Sequence, residues 1–128
     1  MRYILSIAIG GGLGAVFRYS GSKYIMQLTN TTFPAGTLFV NALGSFLMGM
    51  AYITFRRFTV PGELNSMITI GMLGAFTTMS TYCIETLHLF QDGEYKYMFL
   101  NIFLNNIVTI AAVVLGLYFS KILIKMMT

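Results

Sequence analysis

"GMLGAFTTMSTYCIET", residues 71–86, decides how the chain is read, because no charged residue occurs from Leu64 to Ile84 and four hydroxyl residues fall within positions 77–81. An uncharged run of that length is a membrane span, since a hydrocarbon core about 30 Å thick needs about 20 helical residues to cross it. The hydroxyls and the preceding Gly71 and Gly74 disturb that simple picture. Glycine lowers the cost of unwinding a helix, and Ser or Thr side chains can satisfy the backbone groups that unwinding frees. The stretch therefore predicts a transmembrane helix that breaks near its middle. Non-helical backbone at membrane depth persists only where it is buried in protein or lines a cavity, and its carbonyls are hard oxygen ligands suited to a cation such as Na⁺.

The rest of the chain agrees with a membrane setting. Its 128 residues are 56% hydrophobic and 9% charged, far outside the range of an ordinary soluble domain. Further uncharged runs extend from Tyr24 to Phe55 and from Tyr97 to Ser120. The segment from Tyr3 to about Met26 supplies a fourth span if Arg18 and Lys23 lie near its end or face away from lipid. It is not read as a cleaved signal, because no convincing small-residue cleavage site precedes the next span. Short links, "NTTFPAG", "RRFTVPGE" and "QDGEYK", join the spans. The expected fold class is an all-α membrane protein, residues 1–128 forming a single unit of four transmembrane helices with a broken third helix. Cys83 is the single cysteine, so no internal disulfide forms, and a buried inert thiol is expected.

Alternating crossings place Arg2, Arg56, Arg57, Lys121 and Lys125 on one side and Arg18, Lys23 and Lys96 on the other. Orientation follows the Lys/Arg excess of short loops, and five against three is a weak excess that permits insertion both ways. The net charge of +4 reads as topology and contact with a lipid bilayer, with no nucleic acid as partner.

Polar residues inside the spans carry the functional signal. Thr37, Asn41 and Ser45 recur every four residues on the second helix; Thr77, Thr81 and Glu85 do so on the third, followed by His88; Asn101, Asn105 and Thr109 do so on the fourth. One such stripe can be helix glue, but three with an ionisable group suggest an aqueous path. The stripes are rich in neutral donors, with Arg18 as a fixed positive charge suited to a mouth, which favours a small anion. Glu85 leaves a proton-coupled cation exchanger open. Gly10, Gly12 and Ala15 fit a phosphate-loop pattern, but no strand precedes them and a span contains them, so close helix packing is the reading of "GGGLGAVFRY".

Taken in order and spacing, "GGGLGAVFRY", "PAGTLFVNALGSFLMG" and "GMLGAFTTMSTYCIET" resemble the Fluc/CrcB fluoride channel family over nearly the whole chain. That resemblance implies an antiparallel dual-topology homodimer in the bacterial inner membrane, with two fluoride pores and a central structural Na⁺. Fluoride efflux would then be passive and lower cytoplasmic fluoride, which enters as HF and is trapped on dissociation; no catalysis is involved. By position, Gly74 and Thr77 match the residues whose backbone carbonyls hold Na⁺, two from each copy. Asn41 matches a pore donor to fluoride, Arg18 the vestibule arginine, Thr109 and Thr81 hydroxyls of the polar track, and Glu85 the acid after the aromatic motif. The family pattern T-T-F-S-T-F is altered, with Met79 and Tyr82 at its two phenylalanine positions. Tyr82 keeps a ring edge and adds a hydroxyl, whereas Met79 has only a thioether and a terminal methyl. The rival readings are a small dual-topology proton-coupled multidrug transporter working through Glu85, and a non-transporting membrane assembly subunit.

Overall fold

A computed structural model describes residues 1–127. Helix α1 (Arg2–Thr29) ends at Asn30, whose left-handed backbone (φ 43°, ψ 48°) turns the chain while its N–H reaches the Met26 carbonyl at 3.0 Å. Pro34 then precedes α2 (Ala35–Arg57), and Pro61 precedes α3 (Gly62–Ser66), which runs without a gap into a π-helical stretch, Met67–Leu73. A single turn, α4 (Gly74–Phe76), leads into the break. Beyond it come α5 (Met79–Gln91), a turn through Gly93 at φ 76°, and α6 (Tyr95–Met127). Four segments are long and apolar enough to span a membrane: Arg2–Thr29, Ala35–Arg57, Gly62–Gln91 and Tyr95–Met127. The 33 residues of α6 would reach about 50 Å at 1.5 Å per residue, so the helix tilts or projects beyond the hydrocarbon.

The interior is small and polar. Thr37, Asn41, Thr78, Asn101, Asn105 and Ser120 are all buried, while most large aliphatic and aromatic side chains point outward. A bilayer reverses the usual logic of burial: apolar surface faces lipid at no cost, and polar groups gather where they can bond one another.

Backbone proximity holds the bundle together, and glycine permits it. A Cβ on Gly10 would overlap the Met67 carbonyl and one on Gly14 the Met72 carbonyl, while one on Gly71 would lie 2.6 Å from the Ile7 oxygen. Thus α1 interlocks with the π-helical stretch through three glycines. Likewise Gly49 abuts the Val113 carbonyl and Gly116 the Phe46 carbonyl, bringing α2 and α6 into contact along their length. Gly11 and Gly12 meet nothing within 4 Å, so only part of the N-terminal glycine run serves packing in one chain.

Tyrosine–cation pairs mark the ends of three helices. Lys23 lies over the Tyr19 ring at 5.6 Å, Arg56 over Tyr52 at 5.3 Å and Lys121 over Tyr118 at 5.6 Å. Such pairs suit the headgroup region, where an aromatic body meets apolar chains and a charge meets water. Contrary to expectation, Cys83 is exposed, because it lies on the outward side of α5 rather than toward the polar seam.

Candidate functional site

The third span breaks because two residues leave the helical region. Thr77 (φ −82°, ψ 156°) and Thr78 (φ −149°, ψ 113°) are extended, and α5 restarts with Thr78 as its N-cap. The Thr78 hydroxyl oxygen accepts from the Thr81 N–H at 3.2 Å, and its hydrogen goes to Thr81 Oγ1 at 2.9 Å. Asn41 of α2 grips the peptide groups flanking Thr78 from the side: its Oδ1 accepts from the Thr78 N–H at 2.7 Å and its Nδ2 donates to the Thr78 carbonyl at 3.2 Å.

These bonds have a specific effect on two carbonyls. In an uninterrupted helix the Gly74 oxygen would accept from the Thr78 N–H, and the Thr77 oxygen from the Thr81 N–H. Here the first N–H is taken by Asn41 and the second by the Thr78 side chain. Gly74 and Thr77 are the two residues whose carbonyls were expected at the break, and the N–H groups these oxygens would meet in a continuous helix are engaged elsewhere. Among the described residues no group of three or more His, Cys, Asp and Glu side chains is placed to hold a metal ion.

Two polar clefts flank the break. One, of about 240 Å³, is lined by Asn41, Ser45, Thr77, Met79, Tyr82 and Thr109, with Asn105 and Asn106 completing its wall. The other, of about 330 Å³, is lined by Arg18, Lys23, Ser22, Thr37 and Thr81, among others. Thr78 lines both, which makes it the partition between them. The stripe of α2 serves both clefts in turn, Thr37 in the second and Asn41 with Ser45 in the first. Neither lining contains an acidic residue.

The structure thus gathers Asn41, Met79, Tyr82 and Thr109 at one cleft and Arg18 and Thr81 at the other, but it sets Glu85 apart. Glu85 lines a third cavity with His88 and Asp92, toward the end of α5, and accepts from the Thr37 hydroxyl at 2.8 Å through Oε1. Its Oε2 is enclosed and has no hydrogen-bond partner among the described residues. Seven residues beyond Thr78, about 10 Å along the helix, Glu85 lies past both clefts. Asn41 differs from expectation as well. Both of its amide hydrogens are engaged, one by the Thr78 carbonyl and one by Asn105 Oδ1 at 3.1 Å, so direct donation to an ion requires displacing one of them.

Sequence reading passed over Thr78 and took Asn106 only as an extra amide donor for the polar track. Thr78 carried a signal, a hydroxyl residue immediately before a helix restart with its cap partner three residues on. Asn106, which donates to the Ile102 carbonyl at 2.7 Å and lies 3.5 Å from the Tyr82 hydroxyl, stood outside the four-residue stripe.

A model of the family described as CrcB-like protein, Camphor Resistance (CrcB), matches residues 5–117. The chain belongs to the CrcB family. Among its CrcB relatives, a protein of Shewanella woodyi named fluoride-specific ion channel FluC is 48% identical over 124 residues, covering 95% of this chain and all of the relative. Proteins of the same name from Shewanella sediminis and Shewanella baltica are 47% and 46% identical over the same share of both chains. Each of these three relatives is thus matched over its whole length, with 95% of this chain covered.

Proposed function

We propose that the chain is one subunit of a fluoride-specific channel of the inner membrane, through which fluoride leaves the cell passively. The observation that carries this reading is the pair of acid-free polar clefts meeting at Thr78, in a chain 48% identical to a fluoride-specific ion channel. Arg18 and Lys23 at one cleft attract an anion into it. Inside, the ion exchanges part of its hydration for hydroxyl donors. Thr81 accepts from Thr78 and keeps its own hydrogen to give, and Tyr82 presents a phenol at the opposite cleft. Several weak donors in series, with no strong single site, let an ion enter and leave.

Asn41 acts in this reading by holding the Thr78 peptide groups at the junction. The structural cation is Na⁺, held by the Gly74 and Thr77 carbonyls of two copies, each chain giving two oxygens. In a single chain a Cβ on Gly74 would meet only the Thr69 oxygen at 3.7 Å, so packing within one copy does not require glycine there. A second copy approaching in the opposite orientation supplies the reason. Met79, largely exposed beside the first cleft, is placed to meet that copy also.

The multidrug-exchange reading requires a carboxylate in the transport path. Glu85 lies outside both clefts and is bonded to Thr37, which disfavours it. The deciding experiment is anion efflux from proteoliposomes containing the purified protein. Fluoride release should be rapid on an ion-selective electrode and chloride release near the protein-free background. Fluoride release no faster than from empty vesicles would overturn the channel reading.

A further inference from the structure

The Asn41 grip on the break belongs to a longer chain of hydrogen bonds with a single direction. From Thr78 it continues through Asn41 Nδ2 to Asn105 Oδ1, then from Asn105 Nδ2 to Asn101 Oδ1 at 2.7 Å. Asn101 Nδ2 donates to Thr86 Oγ1 at 2.9 Å, and the Thr86 hydroxyl donates to the Tyr82 carbonyl at 2.7 Å. The circuit therefore leaves the third span at Thr78, crosses α2 and α6, and returns to the third span at Tyr82.

Backbone groups at the two ends impose the direction. The Thr78 N–H can only donate, so Asn41 must turn its oxygen toward it and its NH₂ toward Asn105. Asn105 then has to present oxygen, which sends its own NH₂ to Asn101, and the same logic sends the Asn101 NH₂ to Thr86. At the far end the Tyr82 carbonyl can only accept, which agrees with a Thr86 hydroxyl that accepts from Asn101 and donates onward. No amide can flip without opposing oxygen to oxygen or NH₂ to NH₂ at its neighbour. Asn101 is fully buried and has no water as a substitute partner, while Asn41 and Asn105 keep only a small exposed fraction at the first cleft.

We propose that Thr86 and Asn101, which line neither cleft, are positioning residues that hold the Thr78 junction through Asn105 and Asn41, and that fluoride flux depends on this relay. Removing the Thr86 hydroxyl strands the Asn101 NH₂ in a dry site. Asn101 then rotates to find another acceptor, Asn105 is left with the Asn101 carbonyl at 3.2 Å in place of two acceptors, and the constraint on Asn41 is loosened. This inference rests on the channel reading for its flux consequence, while the relay itself has a readout independent of transport.

The test compares the wild type with Thr86→Val, which replaces the hydroxyl by a methyl of similar size, and with Thr86→Ser, which keeps the hydroxyl. Hydrogen exchange at the Thr78 amide is followed by NMR and fluoride efflux by electrode. Thr86→Val should speed Thr78 exchange and slow efflux by about tenfold each, the scale of one lost buried bond. Thr86→Ser should stay within about twofold of wild type in both. Asn101→Ser, too short to reach Thr86, should reproduce Thr86→Val and decides the matter if the valine variant does not fold. Wild-type protection of Thr78 in Thr86→Val, or equal loss in Thr86→Ser, would overturn the relay. A wild-type protein that passes no fluoride refutes the channel reading instead, with the exchange comparison still deciding the relay.

Discussion

At the scale of single residues, Asn41 shows why an amide and no other side chain suits the break. It meets a backbone donor and a backbone acceptor at once, and has a second hydrogen for Asn105. Aspartate has nearly the same shape but only accepts. Asn41→Asp would set a carboxylate oxygen against the Thr78 carbonyl and Asn105 Oδ1, a buried unpaired charge costing about 3 kcal/mol or more. Fluoride efflux in that variant should fall to the protein-free background by electrode, and normal flux would exclude the clamp. The stripes that mark Asn41 and Thr109 were readable because a four-residue period survives in a straight helix, whereas the stripe through Thr81 crosses the break at Thr77 and Thr78. Thr86 was not readable, and Asn106 only as a spare amide donor, since their roles depend on which neighbour's hydrogen remains to be satisfied, and spacing along one helix says nothing about that. Glu85 lies four residues beyond Thr81, and α5 carries it past the two clefts to a third cavity.

At the scale of elements, the spans, their links and the break were all legible, because hydrophobic length and glycine with hydroxyl clustering are local signals. The division of labour among the glycines was not, since it depends on which helix lies opposite. Gly10 faces the Met67 carbonyl of the π-helical stretch, whereas Gly11 one position on faces open space. Gly10→Ala should therefore destabilise the protein by about 1–3 kcal/mol, as overpacking does when backbone must move. Gly11→Ala should be close to neutral. Retention of a monodisperse elution peak after stepwise heating in detergent compares the two, and an unchanged midpoint for Gly10→Ala would show that α1 can shift away at little cost.

At the scale of the whole molecule, the weak charge bias bears on the proposed pairing of two copies. In the proposed reading a chain that gives two carbonyls to a cation needs a second copy, and five basic residues against three leave its orientation nearly undecided. A cysteine placed at Met126, near the exposed end of α6, in a Cys83→Ser background should react with a membrane-impermeant thiol reagent from both faces, about half from each. Labelling from one face only would exclude dual insertion.

The π-helical stretch at Met67–Leu73 has a consequence of its own. Each of its i→i+5 bonds encloses one residue more than an α-helical bond, so the α-helix before it and the residues after it are out of phase by about 100° compared with a continuous α-helix. The span in effect counts: the extra residue lets Gly71 face α1 while Thr78 meets Asn41. Loss of any one residue from these seven would let the segment relax into ordinary helix and turn one of those two contacts away. A deletion near the end of α6 would only shorten a projecting helix. The part of the chain least tolerant of a change in length is thus a stretch that lines neither cleft.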